Sequence, residues 1–171
     1  MKDNLILIGP PGVGKSTVGV LLAKALSMPF VDTDIIIQAS EGRRLQDILD
    51  TDGIGAFRAI EERYIVGLKL EQHVIATGGS VVYSESAMAH LKSLGRIVFL
   101  ALPCETLLKR IENLDTRGVV LPKSQSFCQM YDERYPLYIR WADYVVDCAG
   151  LSHEQVVQRV ASLIRSEKCG S

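Results

Sequence analysis

Residues 9–17 read "GPPGVGKST", and the four residues before them, Leu5 to Ile8, are all apolar. The nonapeptide fits the pattern G-x-x-x-x-G-K-[ST], with Gly9, Gly14, Lys15 and Ser16 at the fixed positions. An unbroken apolar tetrapeptide suits a strand buried on both faces. Beyond the loop, Val18, Leu21, Leu22, Ala25 and Leu26 recur at helical spacing. Strand, glycine-rich turn and amphipathic helix together form a phosphate cradle. Glycines let successive N–H groups turn toward one point, and the helix N-terminus adds its positive dipole end. The amides of Gly12, Val13, Gly14, Lys15, Ser16 and Thr17 are therefore candidate nucleotide-phosphate donors. The Lys15 ammonium suits the β- and γ-phosphates, and the Ser16 hydroxyl suits Mg²⁺.

Working outward, short apolar runs alternate with helical patterns along the whole chain. Strands are expected in "LILI", "PFVDTD", "HVIATGG", "RIVFLAL" and "DYVVDC". Helices are expected from Asp34 to about Glu41, on either side of Gly53, in "SESAMAHLKSLG", in "CETLLKRIEN", in "SQSFCQMYDERYPLYIRWA" with a break or kink at Pro136, and after Ser152. Ser152 and Gln155 have the spacing of a capping box. Five strands alternating with helices predict an α/β fold, a parallel sheet covered on both faces. No linker or repeat interrupts the 171 residues, so a single domain over 1–171 is expected.

Composition narrows the function classes. A net charge of −1 gives no bulk attraction for nucleic acid or an anionic membrane. The apolar runs are strand-sized, and the one before Gly9 is too short for a signal-peptide core, so a cytoplasmic protein is expected. Cys104, Cys128, Cys148 and Cys169 show no metal-ligand spacing and are expected as free thiols. His73, His90 and His153 form no cluster. The guanine-reading N-K-x-D of switch GTPases is absent, as is the apolar-run-Asp-Glu motif of motors.

In an open α/β sheet, ligands bind outside the carboxyl ends of the strands. Three groups of residues fall there. Asp32 and Asp34 follow the second strand, and Asp34 reads either as a helix N-cap or as a carboxylate for Mg²⁺ water or a substrate hydroxyl. "TGGS", Thr77 to Ser80, follows the third strand and permits close approach of a ligand to the backbone. The arginines Arg58, Arg117 and Arg134 form the third group, with Arg58 close to the apolar face of its helix.

The phosphate loop, "DTD" at 32–34, "TDGIGAFRAIEE" at 51–62, the glycine-rich turn after strand three, a lid arginine and "RYPLY" at 134–138 together closely resemble the shikimate kinases. The resemblance spans nearly the whole chain. It implies a three-layer P-loop NTPase fold like that of nucleoside monophosphate kinases, and transfer of the γ-phosphoryl of ATP to an alcohol. It implies that Lys15 and the loop bind ATP with Arg110 against the adenine, that Ser16 and Asp32 organise Mg²⁺, and that Asp34 holds and deprotonates the substrate hydroxyl. Arg58 and Arg134 would clamp the substrate carboxylate, Gly78 and Gly79 would wall the substrate, and Arg117 would act from a lid at about 112–124. The substrate-binding helical region would lie at about 34–62.

Two departures stand where the substrate is enclosed. Ser80 replaces a third glycine, and Gly118 replaces the proline after the lid arginine. Shikimate is the expected acceptor. The alternative is another small hydroxy acid such as homoserine, whose ammonium Ser80 would accept. A non-catalytic nucleotide-binding module would lose Lys15, the Asp pair or the lid arginine, all present here. A monomer is expected.

Overall fold

The structure, a computed structural model, describes residues 4–112 and 125–168. Its elements alternate as the sequence pattern requires: β1 (Asn4–Ile8), α1 (Lys15–Leu26), β2 (Phe30–Asp32), α2 (Thr33–Glu41), α3 (Leu45–Val66), β3 (Val74–Ala76), a 3-10 turn (Val81–Tyr83), α4 (Glu85–Leu94), β4 (Gly95–Ala101), α5 (Cys104–Glu112), α6 (Phe127–Trp141), β5 (Tyr144–Asp147) and α7 (His153–Lys168). The strands form one sheet in the order β2-β3-β1-β4-β5, every pair parallel. From β1 the chain crosses to one side to lay down β2 and β3, and after β3 it crosses to the other. A crevice therefore opens at the carboxyl ends of β1 and β3.

The central strand feeds two cores. Leu5 and Leu7 point to a cluster containing Val18 and Leu22 of α1 and Val156 and Val160 of α7. Ile6 and Ile8 point to the opposite cluster, with Ile65, Met88, Leu91, Phe99 and Tyr138. This is the period-two alternation of a strand whose two faces are both covered. A satellite of Ile37, Ile48 and Phe57 joins α2 to α3.

Several local expectations change in detail. α3 is two helical halves that meet at a non-helical Gly53, with φ 82° and ψ 171°. The positive φ is strained for any other residue, so the glycine marks the break that separates "RRLQDILDTDG" from "IGAFRAIEERYIV". α6 runs through Pro136 and does not end there. The Ser152–Gln155 box is formed, with Gln155 N donating to Ser152 Oγ at 3.2 Å and Ser152 N to Gln155 Oε1 at 2.8 Å.

The expectation of free thiols fails for two cysteines. Cys104 and Cys128 are disulfide-bonded, with their Cα atoms 5.9 Å apart, while Cys148 is a buried free thiol. Cys104 opens α5 and Cys128 lies in the first turn of α6, so helix packing brings together residues 24 apart in sequence. No local spacing announces such a pair.

Candidate active site

The loop between β1 and α1 owes its path to glycine. Gly12 and Gly14 have φ of 82° and 102°, and a Cβ at Gly9 would lie 2.6 Å from the Leu100 carbonyl oxygen. Lys15 is buried beneath the loop, its Nζ donating to the carbonyls of Gly9 at 2.8 Å and Pro10 at 3.0 Å. The ammonium is thus held against the loop whose amides would take phosphate. Arg110 of α5 reaches the same loop, with Nη1 donating to the Val13 carbonyl at 3.4 Å.

Asp32 ends β2 and corrects one of the two readings of the Asp pair. It is Asp32, not Asp34, that caps α2, its Oδ1 accepting from Asp34 N at 3.0 Å. Its other oxygen accepts from the Ser16 hydroxyl at 2.6 Å. A hydroxyl and a carboxylate side by side at a phosphate loop are hard oxygen donors of the kind Mg²⁺ accepts. Among the described residues no group of three or more His, Cys, Asp and Glu side chains is arranged for a metal.

Relieved of capping, the Asp34 side chain faces the glycine turn after β3. Its Oδ1 is enclosed and has no hydrogen-bond partner among the described residues. Glu61 of α3 approaches the same point, and its Oε1 is likewise enclosed without a partner. A side chain on Gly78 would collide with Glu61 Oε1 and lie 2.9 Å from Asp34 Oδ1. Gly79 is confined on another side: its Cβ would lie 2.9 Å from Pro11 Cδ and 3.4 Å from Arg134 Nη1. The Tyr138 hydroxyl fixes this turn by donating to the Gly79 carbonyl at 2.6 Å.

Two carboxyls in one enclosed space resist ionisation. Burial, with the Asp32 charge adding to it and Lys15 opposing, pushes Asp34 up to about 6. Burial pushes Glu61 up to about 7, opposed by the hydrogen bond from Ser80 and reinforced by the charge on Asp34. The charge on Asp34 contributes to the rise of Glu61, so the two titrate as a coupled pair.

The arginines enter from two helices. Arg134, 1% exposed, lies on the α6 stripe Phe127, Met130, Arg134 and Tyr138, all buried. Arg58 is half-buried on α3, one residue after the buried Phe57. Both guanidiniums lie over the ring of Tyr83, and a cavity of about 370 Å³ borders this cluster, lined by Arg58, Glu61, Ser80 and Tyr83 among others. Another cavity of about 400 Å³, near Met28 and Ile164, lies at the amino ends of the strands, on the opposite edge from the phosphate loop.

Lys15, Ser16, Asp32, Asp34, Arg58, Gly78, Gly79, Arg110 and Arg134 thus gather at one edge of the sheet, while Arg117 and the segment 113–124 lie outside the described residues. Ser80 is buried, and its hydroxyl is turned toward Glu61, donating to Oε2 at 2.7 Å. Glu61 and Tyr83 escaped the sequence reading. Glu61 had a signal: it sits between Phe57 and Ile65 at four-residue spacing, a carboxylate in an otherwise apolar stripe. Tyr83 had none.

Comparison with known proteins points the same way. The family model described as shikimate kinase matches residues 11–165. A curated shikimate kinase of Tolumonas auensis is 36% identical over 168 residues, covering 95% of this chain and 97% of the relative. The shikimate kinase 2 of an Enterobacter species is 34% identical over 170 residues, covering 96% of this chain and 97% of the relative. Among solved structures, that of a shikimate kinase from Acinetobacter baumannii in complex with shikimate superposes with a TM-score of 0.88 at 30% identity, covering 97% of this chain and 94% of that one.

Proposed function

Because the chain belongs to the shikimate kinase family, we propose that its Asp34, Arg58 and Arg134 seat shikimate beside an ATP held by the Gly9–Thr17 loop. The reaction is transfer of the γ-phosphoryl group of ATP to a shikimate hydroxyl, giving shikimate 3-phosphate and ADP. The observation that carries this reading is the convergence of three chemistries at the carboxyl ends of β1, β2 and β3: a phosphate loop with its lysine, an enclosed unpartnered carboxylate, and two guanidiniums from separate helices. The curated relatives and the shikimate-bound solved structure favour shikimate over homoserine.

Each group has a task set by its surroundings. The planar fork of Arg58 and Arg134 matches a carboxylate, orienting the ring of the acceptor. Asp34, free of capping and poised at about 6, is ionised at neutral pH yet close enough to that pH to accept the hydroxyl proton. The glycine pair lets the acceptor pass close to the backbone without a side chain in the way. Lys15 and the loop amides stabilise charge on the transferring phosphoryl group, so that positioning and electrostatics supply most of the acceleration. Ser16 and Asp32 would hold Mg²⁺, which neutralises phosphate charge when bound. Arg110 lies beside the loop for the adenine side of the nucleotide, and Arg117 is the lid cation that the family pattern implies. The whole chain acts as one kinase domain, monomeric and cytoplasmic.

The test is a coupled ADP-release assay with ATP and Mg²⁺, comparing shikimate, homoserine and gluconate. Turnover is expected with shikimate, and turnover confined to another acceptor would overturn the reading. Arg58→Ala should raise the shikimate KM about 10–100-fold, the worth of a charge-assisted hydrogen bond, with the ATP KM little changed. Equal changes in both would make Arg58 a structural residue.

A further inference from the structure

Arg58 and Arg134 present like charges to one ligand group, and the Glu61 and Glu133 carboxylates lie near enough to both to be influenced by them. A carboxylate that gripped both guanidiniums directly would occupy the N–H edges that the acceptor needs. An aromatic face holds a guanidinium by its plane and leaves those edges for hydrogen bonds. Tyr83 offers such a face to both. Arg58 Cζ lies 3.9 Å from the ring centroid and Arg134 Cζ 5.1 Å, each within the roughly 6 Å over which the attraction acts.

The turn that carries the ring is held in place on two sides. Tyr83 ends the 3-10 turn, whose Val81 and Val82 are buried in the core and whose Tyr83 N donates to the Ser80 carbonyl at 3.0 Å. The next residue, Ser84, caps α4 through Ala87 N and donates its hydroxyl to Glu62 of α3 at 2.6 Å. Through its ring contacts with Arg58 of α3 and Arg134 of α6, Tyr83 ties the turn after β3 to both helices that supply the arginines. The nearby Glu61 carboxylate receives the Ser80 hydroxyl on one oxygen.

We propose that Tyr83 is a positioning residue for acceptor recognition, its ring holding the Arg58 and Arg134 guanidiniums side by side in readiness for the substrate carboxylate. This rests on the assignment of Arg58 and Arg134 to that carboxylate. A tyrosine that merely filled space would act through its volume, and both substrates would respond alike. A ring that holds cations acts through its electronic character, and the acceptor alone responds.

The experiment compares Tyr83→Phe, Tyr83→Trp and Tyr83→Leu with a series of phenylalanines at position 83 carrying one, two and three ring fluorines, which keep the shape while draining the ring face. Melting temperature and the KM for shikimate and for ATP are measured for each. Leucine should raise the shikimate KM about ten-fold, the scale of a desolvated cation–π contact, with the ATP KM within two-fold. Phenylalanine and tryptophan should stay within three-fold of tyrosine. The shikimate KM should climb with each fluorine at constant melting temperature, a readout that survives even if the leucine variant fails to fold. A flat fluorine series, or a parallel rise in both KM values, would overturn the proposal. Arg58→Ala and Arg134→Ala run alongside separate the levels. If they raise the shikimate KM while the Tyr83 series is flat, the Tyr83 role alone fails. If they leave it unchanged, the carboxylate assignment fails and takes the Tyr83 role with it.

Discussion

The ligand-free protein should carry a stability cost at neutral pH that is absent in mild acid, and Glu61→Gln should remove much of it. Glu61 rises from an ordinary 4.5 to about 7 in the folded protein, first because it is buried, and Asp34 from 3.8 to about 6 for the same leading reason. A carboxyl whose folded value is raised binds its proton more tightly when folded. Its favourable contribution is therefore complete below the unfolded value and is lost as pH climbs through the folded one. For Glu61 that window runs from about 4.5 to 7. At about 1.4 kcal/mol per pH unit the loss is about 3 kcal/mol. An uncharged amide at position 61 imitates the protonated acid, so Glu61→Gln should be nearly neutral at pH 4.5 and stabilising by about 3 kcal/mol at pH 8. In a chain of this length that corresponds to roughly 6–12 °C in melting temperature. Urea unfolding of both proteins in the absence of ligands, at half-unit steps from pH 4.5 to 8, measures the difference directly. Taking the difference cancels the exposed groups that titrate in both proteins. A wild-type-minus-variant gap that does not change with pH would refute the reasoning, because it would mean that Glu61 ionises as it does in water.

Activity should move the other way: kcat/KM for shikimate should fall as pH drops below about 6, where Asp34 takes up its proton, and a profile flat to pH 5 would argue against Asp34 as base. Asp34→Asn should lower kcat about 10²–10⁴-fold while leaving nucleotide binding, followed by calorimetry, within a few-fold. Gly79→Ala should impair both substrates, since its new methyl would lie 2.9 Å from Pro11 of the phosphate loop and 3.4 Å from Arg134; a change confined to one KM would contradict that shared contact. Cys128→Ser should cost about 3 kcal/mol of stability from the 24-residue separation it leaves uncrosslinked, read as equal urea midpoints for the variant and for the wild type under dithiothreitol.

The sheet was legible because its signals are local. Leu5 to Ile8 could be read as a doubly covered strand from four letters, and the glycines of the phosphate loop stand in a pattern that few other structures require. The roles at strand ends were harder, because they depend on which side chain faces which. The sequence offered Asp34 as the cap of α2, and only the backbone of the β2–α2 junction shows Asp32 in that position. Arg134 was visible through its resemblance to a family, yet its burial on an apolar stripe of α6 is also a feature of the sequence pattern itself. The contacts of Tyr83 with Arg58 and Arg134 span 25 and 51 residues of chain and belong to packing alone. The disulfide is unreadable for the same reason.

That disulfide also alters what a broken backbone would mean. Joined through Cys104 and Cys128, the chain is a covalent ring with two tails: the amino-terminal tail carries β1 to β4, and the carboxyl-terminal tail carries most of α6, β5 and α7. A single cut anywhere between the two cysteines opens the ring without parting the tails. Limited proteolysis there would yield one band on a non-reducing gel and two on a reducing one. The same property makes this stretch a natural place for new chain termini in a permuted or split enzyme, because the halves would stay attached at the point where α5 meets α6.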